Sequence, residues 1–143
     1  MKSITGKLIV LMAISTALFS FAARPGGEGF EIYLNNKVIL QQYGNEMNTV
    51  KKLPLDQYAA TDNLGVKYHH CGKVGKNRVI TIRDAQNNTL KEYRYADVTT
   101  PASAMMVPVK DILGLKKKAG SNLQLYYSSS ELPKGRALVS VAP

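Results

Sequence analysis

Asn-Asn stands twice in this chain between two β-prone runs, and no other feature limits the fold as much. Asparagine tolerates positive φ, so each pair reads as a two-residue hairpin turn. Asn35-Asn36 joins Phe30-Glu-Ile-Tyr-Leu to Lys37-Val-Ile-Leu-Gln-Gln. That register sets Ile32 opposite Ile39 and Tyr33 opposite Val38. Asn87-Asn88 joins 78–84 to 89–96. Pairing Gln86 with Thr89 sets Ile82 opposite Tyr93, Ile80 opposite Tyr95, Arg83 opposite Glu92 and Asp84 opposite Lys91. Each such cross-strand pair contributes about 0.2–1 kcal/mol. A slip by one residue would lose both ion pairs and turn the apolar face outward.

Further strands follow from alternation. Residues 123–127 and 137–141 alternate, and 66–71 is bounded by Gly65 and Gly72. Pro54 confines any strand within 49–58 to a sheet edge. Between the last two strands, 128–135 is a loop that Pro133 stiffens, and Gly72 to Asn77 reads as a hairpin loop. Residues 99–104 read as a surface connection. Asp111, Ile112, Leu113 and Leu115, with Lys116 to Lys118 behind them and Gly120 beyond, give one short helix near 109–118. Seven or eight short strands with frequent turns predict a mainly β, single-domain antiparallel β-sandwich, Ig-like or similar, over 30–143. A small β-barrel is the alternative.

The first 22 residues stand apart. Lys2 and Lys7 precede an uncharged run from Leu8 to Ala23, and Ser20 and Ala22 place small residues before a cleavage point after Ala22. This is the pattern of a signal peptide, and the run is short for a membrane-spanning helix. Export to the periplasm or beyond is the expectation, with no transmembrane segment once the leader is cut. Residues 23–29 are expected to form a flexible lead. Cleavage leaves 121 residues with a net charge of +7, long enough for one core. A single cysteine excludes an internal disulfide, so packing alone must hold the domain together in an oxidising compartment.

Residues able to carry chemistry are few. His69-His70-Cys71 gathers both histidines and the one cysteine. On a strand, His69 and Cys71 would share a face and offer nitrogen and sulfur to zinc or copper. No further ligand stands at a recognised spacing, and the plainer reading is a small packed thiol with histidines at a strand end. The cluster can also be read as a nucleophile with its base, Cys71 with His69, but nothing sets an oxyanion donor such as Asn63 or Asn77 beside them. Serine-hydrolase, zinc-protease and phosphate-loop motifs are absent, and no cofactor is implied.

Basic charge and eight tyrosines remain. They point to an anionic partner such as an acidic polysaccharide, with Tyr126 and Lys116, Lys117 and Lys118 as candidate contacts. Tyr93 and Tyr95, set opposite isoleucines, read as core or core-edge residues. Lys116 to Lys118 also read as a solvated helix end. An extracellular protein is the other partner considered; nucleic acid does not fit export.

Phe30-Glu-Ile-Tyr-Leu-Asn-Asn-Lys, Lys67-Tyr-His-His-Cys-Gly, Arg78-Val-Ile-Thr-Ile-Arg-Asp and Tyr126-Tyr-Ser-Ser-Ser-Glu-Leu-Pro-Lys-Gly resemble a group of small exported bacterial β-rich proteins of unknown function. The resemblance spans the mature length and implies a β-rich fold without assigning an activity or a site. The expected function is therefore an exported, non-enzymatic binding or structural domain. A metal- or thiol-dependent protein centred on His69 and Cys71 is one alternative. An inhibitor-like domain presenting 128–135 to an extracellular enzyme is another.

Overall fold

The computed structural model describes residues 27–55, 57–120 and 122–141. The leader and residues 23–26 of the lead lie outside them. Nine strands, one α-helix and a 3-10 turn make up the described chain. In chain order they are β1 (Glu28–Leu34), β2 (Lys37–Tyr43), the 3-10 turn (Gly44–Asn48), β3 (Lys51–Leu53) and β4 (Asn63–His70). These are followed by β5 (Val79–Arg83), β6 (Thr89–Arg94), β7 (Met105–Pro108), α1 (Val109–Ala119), β8 (Leu123–Ser128) and β9 (Arg136–Val141). Glu28 and Gly29 thus belong to β1 rather than to a flexible lead, because both pair with the end of β4.

The strands form two sheets, of order β2-β1-β4-β7 and β3-β9-β8-β5-β6. All pairs are antiparallel except β3 with β9. The sheets do not close into a barrel; the arrangement is a β-sandwich. Alternation decides which side faces in. Phe30, Ile32, Leu64, Val66 and Tyr68 from one sheet meet Ile80, Ile82, Leu123, Leu125, Tyr127, Val139 and Val141 from the other in one buried cluster. Removing such side chains from water stabilises by about 1.5–3 kcal/mol each.

An open sandwich has four sheet edges, and each is blunted against further pairing. β3 has three residues and runs into Pro54; β7 has four and ends in Pro108. β6 carries Lys91, Glu92 and Arg94. β2 is longer, but its pairing with β1 slips between Ile32 and Tyr33.

That slip corrects one expected pair. Asn35 and Asn36 both take positive φ, 47° and 71°, so the two-residue turn forms and Tyr33 faces Val38. Beyond the bulge Ile32 faces Leu40, not Ile39. The second hairpin differs more. Ile80 faces Tyr93, Thr81 faces Glu92 and Ile82 faces Lys91, a displacement of two residues that preserves the faces while changing every partner. The cause is Asp84. Its carboxylate accepts from the Gln86 and Asn88 amides, each at 2.9 Å, and from Asn88 Nδ2 at 3.1 Å. Only Asn87 of that pair takes positive φ, so Asp84 builds a wider turn instead of meeting Lys91. Lys91 Nζ lies 2.7 Å from Asp111 Oδ2, and Glu92 pairs with Arg94 at 2.6 Å.

Met105–Pro108 is a strand for which the sequence raises no expectation, four residues being too few to show a period. One further expectation changes. Gly72 to Asn77 is not a hairpin loop, since β4 and β5 lie in different sheets. The helix appears where expected, and the strand that forms within 49–58, at 51–53, lies at a sheet edge as Pro54 requires. Val109 and Ile112 are buried, and Asp111 receives Lys91 and the Tyr93 hydroxyl, which tie α1 to β6. Among the described residues no helix is long and apolar enough to cross a membrane.

Candidate functional site

The His-His-Cys sequence does not assemble as a strand face. β4 ends at His70, the Lys73 amide donates to the His70 carbonyl at 3.1 Å, and Cys71 and Gly72 take φ of 54° and 83°. Cys71 therefore occupies a tight turn, exposed, and the strand geometry that would have set it beside His69 stops one residue short. Among the described residues no three His, Cys, Asp or Glu side chains gather as a metal-binding group.

The two histidines face opposite ways. His69 lies on the outer face, its Nε2 3.7 Å from Glu31 Oε2. Glu31 accepts from the Tyr33 and Tyr43 hydroxyls at 2.6 Å each. Burial would raise the Glu31 carboxyl, but these hydroxyls and His69 outweigh it and hold the group below the usual carboxylate range. The bond to Glu31 in turn pushes Tyr33 up to about 12.

His70 faces the interior. Its Nε2 is 2.8 Å from the Tyr127 hydroxyl and 3.4 Å from Ser129 Oγ, and Tyr68 stacks on Tyr127 at 4.3 Å. A Cβ on Gly75 would stand 3.0 Å from both His70 Nε2 and the Tyr127 hydroxyl. Burial lowers the His70 pKa, while the carboxylates of Glu131 and Glu28 pull the other way. An open cleft of about 490 Å³, lined by Glu28, His70, Cys71, Lys73, Glu131 and Leu132, lies at this end of the sandwich. The 129–135 loop beside it is braced by hydrogen bonds to 76–77. The Lys76 amide donates to Glu131 at 3.0 Å, the Ser130 amide to the Lys76 carbonyl at 2.8 Å, and Asn77 Nδ2 to Ser130 Oγ at 2.8 Å.

Tyr126 and the helix lysines fall on different elements. Lys116, Lys117 and Lys118 form the last turn of α1. Tyr126 lies on the outer face of the five-stranded sheet, between the buried Leu125 and Tyr127. The Arg83 guanidinium stacks over its ring at 4.1 Å. Arg83 Nη1 also donates to Asn87 Oδ1 at 3.2 Å, while its buried Nε has no hydrogen-bond partner.

Arg83 opens a row that crosses four strands. It faces Gln124, Gln124 faces Ser140, and Ser140 faces Lys52. Each of the four follows or precedes a buried inward residue, so alternation turns all of them to the outer face. Strands are spaced by about 4.8 Å, which puts the backbones of Arg83 and Lys52 roughly 14 Å apart. A cleft of about 350 Å³ lies beside Lys52, Ser140 and Gln124, lined also by Ala85, Asn122, Leu123 and Val141; Arg83 stands outside its lining. No acidic residue stands in the row. Neighbouring Asp84 is folded into its own turn, where those backbone and side-chain donors lower its pKa, and Glu92 is held by Arg94. The sheet thus presents two cations separated by two neutral hydrogen-bonding side chains.

Compared with family models, curated proteins and solved structures, the chain matches none of them. Of the residues on this face, the sequence singles out Tyr126 alone. Lys52, Gln124 and Ser140 sit on three strands far apart in sequence, and only the pairing registers bring them into line.

Proposed function

We propose that the protein is an exported, non-enzymatic binding module that holds an acidic polysaccharide against the outer face of its five-stranded sheet. The observation that carries this reading is the row Arg83–Gln124–Ser140–Lys52, with cations at both ends and no carboxylate in it. Fixed cations attract carboxylate or sulfate groups. Amide and hydroxyl side chains between them both donate and accept, as sugar hydroxyls require. The one hydroxyl in the row, Ser140, has no base paired beside it there, which favours binding over nucleophilic chemistry. The net charge of +9 over the whole chain favours the same class of partner.

Export rests on the leader, from Lys2 to Ala22, and its test is the mass of protein recovered from an exporting host. A chain beginning at Ala23 supports it; a chain retaining Met1 to Ala22 overturns it. Binding is tested by isothermal titration of the recovered protein with polygalacturonate and with neutral dextran. Heat with polygalacturonate that weakens in salt, and none with dextran, supports the reading. Equal response to both, or to neither, overturns it.

A further inference from the structure

We infer that this row reads the spacing of charges along its ligand: the polysaccharide lies across the strands and seats two anionic groups at Arg83 and Lys52, whose backbones stand about 14 Å apart. The inference rests on the binding reading above and adds direction and specificity to it. The two ends are built differently. Arg83 is held by Tyr126 at 4.1 Å and by Asn87 at 3.2 Å, so little side-chain freedom remains to be lost on binding. Its planar guanidinium offers a carboxylate or sulfate two parallel donors. Lys52 stands exposed on the three-residue edge strand β3, a point charge on a flexible stem that tolerates variation in its partner. Arg83 therefore fixes the register of the ligand and Lys52 measures its reach.

The interval between them argues for a sugar chain over other polyanions. Gln124 and Ser140 are neutral, so the inner units of the ligand meet side chains that both donate and accept hydrogen bonds. A uronate chain carries hydroxyls on every unit and can turn them to this face, whereas a polyphosphate carries none. Single-stranded nucleic acid binds by stacking bases on open rings, but Tyr126 on this face already lies beneath a guanidinium.

The test uses the full exported chain and galacturonate oligomers from dimer to hexamer. The end carboxylates of the tetramer are the first to stand about as far apart as the backbones of Arg83 and Lys52. Engaging the second site from a ligand already held at the first raises affinity steeply, so the expected result is a step of at least about tenfold between dimer and tetramer and little gain beyond. Arg83→Gln and Lys52→Gln should each remove the step, while Lys134→Gln, on the 129–135 loop, should leave it. Unfolding curves confirm that each variant is folded. Affinity rising smoothly with length, or a step surviving both Gln variants, overturns the spacing inference while polysaccharide binding stands. Binding of a thymidine oligomer as tight as that of the hexamer overturns the choice of polymer. No binding of any galacturonate oligomer overturns both readings.

Discussion

The ring of Tyr43 lies against the backbone of Gly29: a Cβ on Gly29 would stand 2.1 Å from Tyr43 Cδ1 and 2.8 Å from Cγ. Residue 43 faces residue 29 across the β1–β2 ladder, and the Tyr43 hydroxyl donates to Glu31 at 2.6 Å. The ring is pinned at both ends, so it cannot move aside without breaking that bond. Gly29→Ala should therefore destabilise the fold by about 1–3 kcal/mol, the usual cost of overpacking. In a Tyr43→Ala background the same change should cost little. Urea denaturation of the four proteins measures both, and equal cost in the two backgrounds would show that the ring is free to yield.

How much of this was legible beforehand depended on whether a signal was local. The Asn35-Asn36 turn, the edge position that Pro54 imposes and the α1 helix each rest on neighbouring residues, and each was readable. The Asn87-Asn88 register was not, because Asp84 had two uses. As a strand residue it would meet Lys91; as a turn residue it satisfies three donors within four positions. The short-range use won, since it closes a smaller loop. Cys71 was misplaced for a related reason, as two left-handed residues ended a strand that composition alone would extend. The Arg83–Lys52 row needed three separate strand pairings, and one of them is parallel.

Arg78 should prove to be the clamp on the β6–β7 connection. It is 6% exposed, and its guanidinium donates to the Ser103 carbonyl at 2.9 Å and the Ala96 carbonyl at 3.1 Å. Arg78→Ala removes two charge-assisted bonds and leaves both carbonyls without that donor, at a cost of about 2–4 kcal/mol. Hydrogen exchange should rise selectively between residues 96 and 104. Uniform exchange across the sandwich, or unchanged stability, would count against the clamp.

His70 should make the fold sensitive to mild acid. Burial lowers its pKa below the ordinary 6.5, so the unfolded chain takes up this proton before the folded one. Stability should then fall as pH drops below 6.5, and His70 should stop contributing once the pH passes its folded value. The Glu31, Asp84, Asp111 and Glu131 carboxyls are also lowered. They contribute stability above their unfolded values and lose it only near pH 4.5 and below. Denaturation midpoints at pH 7.0, 6.0 and 5.0 should decline in the native protein and flatten in His70→Gln. An NMR titration placing the His70 midpoint above 6.5 would reverse the sign.

The β5–β6 register itself can be tested by cross-linking. Thr81 and Glu92 face each other, a distance of about 4.5–5.5 Å between Cα atoms, within the span of a disulfide. Arg83 and Glu92, the pair expected from the Asn-Asn turn alone, are offset by two residues along the strand. That offset lengthens the separation to roughly 8 Å, beyond what a disulfide bridges without backbone movement. With Cys71 replaced by serine, the double variant Thr81→Cys/Glu92→Cys should oxidise to a monomeric cross-linked species under mild conditions. The double variant Arg83→Cys/Glu92→Cys should stay reduced. Non-reducing mass spectrometry and thiol alkylation read both, and the opposite outcome would restore the narrow turn and return Asp84 to Lys91.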